Sequence, residues 1–166
     1  MQLLLLRHAE AESEAASDAV RTLTAKGSKQ AESIGKFCLQ HRIVPQIILS
    51  SPLTRAVETA RLVARELNSS NLVQIAEFLR PGMTAEHAFS GLREFLIAPK
   101  KLDRHQEKAG VMLVGHEPDF SDLAGVLVGG GATSVHFRKA TLMAVALQEL
   151  KPGAGRIEFL IPVKCL

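Results

Sequence analysis

The chain has 166 residues, 46% of them hydrophobic and 22% charged, enough to bury the core of one domain and too little for two ordinary ones. That balance excludes a disordered or collagen-like polypeptide. With aromatics at 4% and neither Trp nor Tyr, the sequence offers no stacking platform for nucleic-acid bases. Twenty Lys and Arg against seventeen Asp and Glu leave a formal charge of +3, so any anion site must come from local clustering. A single soluble domain over 1–166 is expected, binding neither nucleic acid nor membrane.

The opening Met1 to Leu6 is apolar, but it is too short for a transmembrane helix and lacks the charged start and cleavage site of a signal peptide. It reads instead as a strand over Leu3 to Leu6, buried on both faces and ending abruptly at Arg7-His8. Residues 9–22 show no sustained apolar face and read as a loop, with room for one irregular helical turn. Thr24 is an N-cap for a helix to about His41, along which Ala31, Ile34 and Cys38 share one face. Gln46 to Ser50 is the next strand. Ser51-Pro52 then presents an N-cap hydroxyl and a first-turn proline for a helix with Ala56, Ala60, Val63, Ala64 and Leu67 on its inner face.

A brief strand over Leu72 to Ile75 and a break at Arg80-Pro-Gly82 precede a helix from Thr84 to Leu96. Lys100 to Lys108 is charged and aperiodic, the pattern of a solvated loop. Gly110 to Val114 repeats the first strand and ends in Gly115-His116, after which Pro118 opens a helix to about Val128. Gly129-Gly-Gly131 lacks the Lys-Ser/Thr of a P-loop and reads as a connection. Strands over Thr141 to Leu147 and Arg156 to Val163 can pair as a hairpin through Lys151-Pro-Gly153. The alternation predicts an α/β, three-layer sandwich with a mainly parallel sheet and helices on both faces.

In such a sheet functional groups gather at the carboxyl ends of the strands. Here those ends carry Arg7-His8, Ser50-Ser51 with Arg55 one turn on, and Gly115-His116. Two histidines and two arginines on converging loops predict a cationic pocket with a nitrogen nucleophile and no acid to quench it. Arginine suits a phosphoryl group because its planar fork donates two parallel hydrogen bonds and remains charged. The other histidines, His41, His87, His105 and His136, have no metal spacing and read as surface residues. Cys38 and Cys165 also lack metal-ligand spacing and cannot build a secreted disulfide framework, which favours a reducing compartment such as the cytoplasm. No metal and no cofactor are expected.

These residues resemble the histidine phosphatases, the phosphoglycerate-mutase-like superfamily. Its Arg-His-Gly hallmark stands here as Arg7-His8-Ala9, and its Ser-x-x-x-Arg-Ala-x-x-Thr-Ala element as Ser51 through Arg55 and Thr59 to Ala60. Arg21-Thr-Leu-Thr-Ala-Lys-Gly27 is similar to the family's Arg-Pro-Leu-Thr-x-x-Gly. The small size, the Ser17-Asp18 before Arg21 and the Gly115-His-Glu-Pro118 run look most like the SixA-type phosphohistidine phosphatases.

The resemblance implies a metal-independent phosphatase in which His8 attacks phosphorus and forms a phosphohistidine that water hydrolyses. Arg7, Arg55 and His116 would hold the phosphoryl oxygens, Ser51 would help bind substrate, and Arg21 would complete the pocket unless it merely pairs with Asp18. The arginines would also keep the His8 ring neutral. Glu117 is a possible proton donor, although its place before Pro118 favours helix capping. Ala9 in the glycine position narrows the allowed backbone dihedrals. The implied partner is a phosphohistidine-bearing protein of a phosphorelay or phosphotransferase system, and phosphate ion is the implied pocket ligand. A small-molecule phosphomonoesterase, a phosphoglycerate-type mutase and a non-catalytic phosphoryl-binding module are the alternatives.

Overall fold

The computed structural model describes residues 1–97, 110–130 and 135–166. The charged run at Lys100 to Lys108, His105 within it and Gly131 fall outside them. Six strands form one sheet: β1 (Gln2–Arg7), β2 (Ile47–Ser50), β3 (Val73–Ile75), β4 (Gly110–Gly115), β5 (Thr141–Leu147) and β6 (Gly155–Pro162). Their order is β3-β2-β4-β1-β5-β6. The β3-β2, β2-β4 and β4-β1 pairs are parallel, while β1-β5 and β5-β6 are antiparallel. The sheet is mainly parallel as expected, and the hairpin expected between the last two strands forms.

Strand alternation divides the apolar residues between two cores. Leu3, Leu5, Leu49, Leu113 and Val145 point to one side, where α3 (Ala85–Ile97) and α4 (Asp119–Val128) pack. Leu4, Leu6, Ile48, Val114 and Leu142 point to the other, against α1 (Ala25–Gln40) and α2 (Thr54–Glu66). Leu3 to Leu6 are fully buried, which explains why β1 reads as an unbroken apolar run rather than an alternating one. Thr24 caps α1 by accepting from the Gly27 amide at 2.9 Å. Gly129 ends α4 at φ +77°, a left-handed conformation suited to glycine. No helix among the described residues is long and apolar enough to cross a membrane.

One helix start needs correction. The Ser51-Pro52 signal places the beginning of α2 at residue 52, but the helix begins at Thr54 with Leu53 as its N-cap. The Ser51 hydroxyl is instead engaged by His116 at 2.7 Å, so its principal partner is a side chain across the sheet. The loop over 9–22 contains a single short 3-10 turn, Asp18–Val20.

Candidate active site

Register brings the three motif-bearing strand ends together. Arg7 is opposite Gly115 and Ser50 is opposite Val114 in the parallel pairs, so β1, β4 and β2 finish side by side. The His8 amide donates to the Gly115 carbonyl at 3.0 Å, and the Ser51 amide donates to the Val114 carbonyl at 2.9 Å. These bonds extend the sheet by one residue and fix the backbone beneath both histidines. The rings lie 5.2 Å apart, centroid to centroid. Gly115 makes room for the Phe120 ring of α4: a Cβ there would stand 2.7 Å from it.

His8 is oriented from both sides. Its Nδ1 donates to the Ala9 carbonyl at 2.8 Å, which leaves an unprotonated Nε2 to accept from Arg55 Nε at 3.3 Å. Ala9 is in turn fixed by its amide, which donates to Thr59 Oγ1 at 3.1 Å, while the Thr59 hydroxyl donates to the Arg55 carbonyl at 2.7 Å. Ala9 is absent from the positive-φ residues, and its methyl is buried in the α1/α2 core. The glycine of the family pattern is therefore not required by this backbone.

Burial shapes the electrostatics more than the arginines do. His8 is 7% exposed and His116 3%. Burial is the largest cause lowering His8 from 6.5 to about 4, assisted by the charges of Arg55, Arg7 and Lys139 and opposed by the Ala9 bond. His116 falls to about 3, again chiefly through burial and then through His8 and Arg55. Arg7 is also lowered by burial, with Glu117 opposing, and its Nη1 donates to the Phe137 carbonyl at 2.8 Å.

The depressed histidine values carry a prediction for stability. Between about pH 6.5 and 4 the unfolded chain binds protons that the folded His8 refuses, so stability is complete above pH 6.5 and falls as the solution is acidified. At pH 5 the loss from His8 alone is about 2 kcal/mol, at 1.36 kcal/mol per pH unit. Urea unfolding should show a lower midpoint at pH 5 than at pH 7, with the gap narrowed in His8→Asn. Identical midpoints would mean that the ring is not held neutral.

The pocket does contain an acid, contrary to the expectation from its motifs. Asp18 lies between two guanidiniums: its Oδ2 is 3.0 Å from Arg55 Nη2, its Oδ1 is 2.9 Å from Arg21 Nη1, and its carbonyl accepts from Arg55 Nη1 at 2.7 Å. These bonds hold its carboxyl below the usual range, Arg21 contributing most. Arg21 also donates to the Glu12 carbonyl at 2.6 Å. It is thus joined to His8 only through Asp18 and Arg55, and the Asp18 pairing weighed from sequence is present. Asp18 was legible as a neighbour of Arg21 but not as a partner of Arg55, since an aperiodic loop gives no register to a residue 37 positions away.

Glu117 behaves as a cap. Its carboxylate accepts from the Ser121 amide at 3.1 Å, from the Ser121 hydroxyl and from the Phe137 amide at 2.9 Å. Asp119, which no sequence signal singled out, is buried and accepts from the Gly82 and Met83 amides at 2.9 and 3.0 Å, tying the break before α3 to the start of α4. Among the described residues no three His, Cys, Asp or Glu side chains form a metal-binding group. His41, His87 and His136 are exposed, as expected. A separate cavity lies at the opposite edge of the sheet, lined in part by Met1, His41, Arg42 and Arg156; it includes none of the motif residues.

Comparison with known proteins places this geometry. The sequence profile of the Histidine phosphatase superfamily (branch 1) matches residues 3–80. A phosphohistidine phosphatase SixA homolog of Haemophilus influenzae is 34% identical, the match covering 78% of each chain. The chain belongs to the histidine phosphatase superfamily. Phosphohistidine phosphatase SixA of Escherichia coli is 27% identical over 92% of this histidine phosphatase and 89% of its own length. The solved structure of protein histidine phosphatase SixA complexed with tungstate superposes with a TM-score of 0.84 over 99% of both chains, at 24% identity, which establishes the shared α/β fold.

Proposed function

We propose that this histidine phosphatase removes the phosphoryl group from phosphohistidine on another protein in the cytoplasm, with His8 as the nucleophile and no metal. The observation that carries the reading is the bond from His8 Nδ1 to the Ala9 carbonyl at 2.8 Å, because it leaves Nε2 unprotonated, with its electron pair turned toward the Arg55 guanidinium. In the first step Nε2 bonds to phosphorus as the substrate's P–N bond breaks, and the departing imidazole takes a proton from solvent. In the second, water attacks phosphorus, the His8 P–N bond breaks and phosphate leaves. Arg7, Arg55 and His116 carry the charge on the equatorial oxygens, and Ser51 orients His116. The cytoplasm is favoured by two unpaired cysteines, the buried Cys38, whose thiol burial pushes up to about 12, and the exposed Cys165.

The engagement of Glu117 supports the choice of leaving group. An alkyl phosphate expels an alkoxide and needs a well-placed acid, whereas imidazole, with an ordinary pKa of about 6.5, departs without comparable help. Three donors already occupy the Glu117 carboxylate. The test is kcat/KM for a histidine-phosphorylated phosphotransfer domain beside that for a sugar phosphate, each with and without exhaustive chelation. The phosphohistidine should be preferred by at least about two orders of magnitude, the lower end of what a general acid supplies. Chelation should have no effect, and Glu117→Gln should change turnover only slightly. Equal or better hydrolysis of the ester, abolished by Glu117→Gln, would make the protein a small-molecule phosphatase with Glu117 as its acid.

A further inference from the structure

Beside the nucleophile is a depression whose ionisable lining is almost entirely basic. Among the described residues Arg7, Lys26, Arg138, Lys139 and Lys164 supply five formal positive charges there, and Glu10 the only negative one. The resulting net +4 exceeds the +3 of the whole chain, so all other residues together sum to about −1 and this depression concentrates positive charge. Glu10 is already paired with Lys26 at 3.0 Å. Arg138, Lys139 and Lys164 are exposed, and among the described residues none of them has a carboxylate within ion-pair distance.

The rim is also rigidly attached to the site. Arg7 is bonded to the Phe137 carbonyl at 2.8 Å, and the Ala140 amide donates to the His8 carbonyl at 3.2 Å, so Arg138 and Lys139 project from a segment pinned at both ends. A phosphohistidine side chain is short. The surface carrying it must therefore come within a few ångströms of these cations, closer than the Debye length of about 8 Å at physiological salt.

We infer that the rim of Lys26, Arg138, Lys139 and Lys164 is a docking surface for acidic residues that flank the phosphohistidine on the substrate protein. The inference rests on the proposed phosphohistidine activity and adds to it a charge preference. Unpaired cations on one face steer an oppositely charged partner and suppress wrong ones. Among the described residues the lining has no Phe, Tyr or Trp, which favours a protein partner over a single-stranded nucleic acid.

Three substrates separate the possibilities: a phosphohistidine peptide flanked by Asp and Glu, the same peptide flanked by Lys, and phosphoramidate. Turnover of phosphoramidate reports the underlying chemistry; the ratio between the peptides reports the rim. Wild type should prefer the acidic peptide, with the preference fading as salt is raised. Arg138→Glu combined with Lys164→Glu should lower kcat/KM for the acidic peptide about tenfold or more, chiefly through KM, improve the Lys-flanked peptide and leave phosphoramidate within about twofold, since rim charges act on encounter rather than chemistry. An unchanged peptide ratio, or an equal loss on phosphoramidate, would overturn the docking assignment. So would inhibition of acidic-peptide turnover by an oligonucleotide at lower concentration than by polyglutamate. Absence of phosphoramidate turnover in wild type would instead remove the phosphohistidine reading itself.

Discussion

His8→Ala is expected to eliminate both the phosphoenzyme and turnover. With labelled phosphoramidate the unaltered protein should accumulate an acid-labile, base-stable phosphorylated species, and the variant should show none. The rate should fall by at least about four orders of magnitude, the scale seen when a nucleophile is deleted from a catalytic unit. Structure explains why no neighbour can substitute. His116 is the nearest ring, but its Nε2 is bonded to Ser51 at 2.7 Å and its Nδ1 is fully buried, while Arg55 offers only donors. Near-normal turnover in His8→Ala would assign the nucleophile elsewhere.

Arg55→Ala should be nearly as damaging, at about two to three orders of magnitude in kcat, comparable to loss of an oxyanion donor. Arg55 is 6% exposed and uses all three nitrogens, Nε toward His8 and both Nη toward Asp18. Its removal would take away the proposed phosphoryl ligand and also the donor facing Nε2. Arg55→Lys should recover little, since an ammonium cannot reproduce the fork. Arg7→Ala is expected to lose a similar factor, with an added cost from freeing the Phe137 carbonyl. A loss below about tenfold in either variant, well short of the oxyanion-donor scale, would place that arginine outside the reacting centre.

The fold and the four central residues were legible because the chain writes them in short-range patterns. Each central strand is an apolar run cut off by a polar residue, as at Leu6 to Arg7 and Val114 to His116, and parallel pairing alone then makes those ends neighbours. Three features escaped because their partners are remote or their local signal is ambiguous. Asp18 sits in a loop without periodicity, so its bonds to Arg55 could not be anticipated. Asp119 looks like an ordinary first-turn helix acid, and only the folded chain brings Gly82 and Met83 to it. Ser51-Pro52 satisfies every local rule for a helix start, yet the hydroxyl meets His116 and the helix waits for Thr54; tertiary contact outweighed the capping preference.

The change of direction at β1 decides what can be built around His8. On its parallel side, β4 and β2 arrive at this edge with their ends, so the chain leaves the site immediately into α4 and α2. On its antiparallel side, β5 begins at the same edge, with Leu142 opposite Leu6, and β6 finishes there, with Pro162 opposite Thr141. One wall of the mouth is consequently made by chain still travelling toward the sheet and by chain that has just left it, which turns only into the short 3-10 helix Val163–Cys165. Within that wall the exposed Arg138, Lys139 and Lys164 can be exchanged without disturbing the core, whereas Phe137 and Ala140 are fully buried and bonded to Arg7 and His8. That wall is where this scaffold can acquire a new substrate while its chemistry stays fixed.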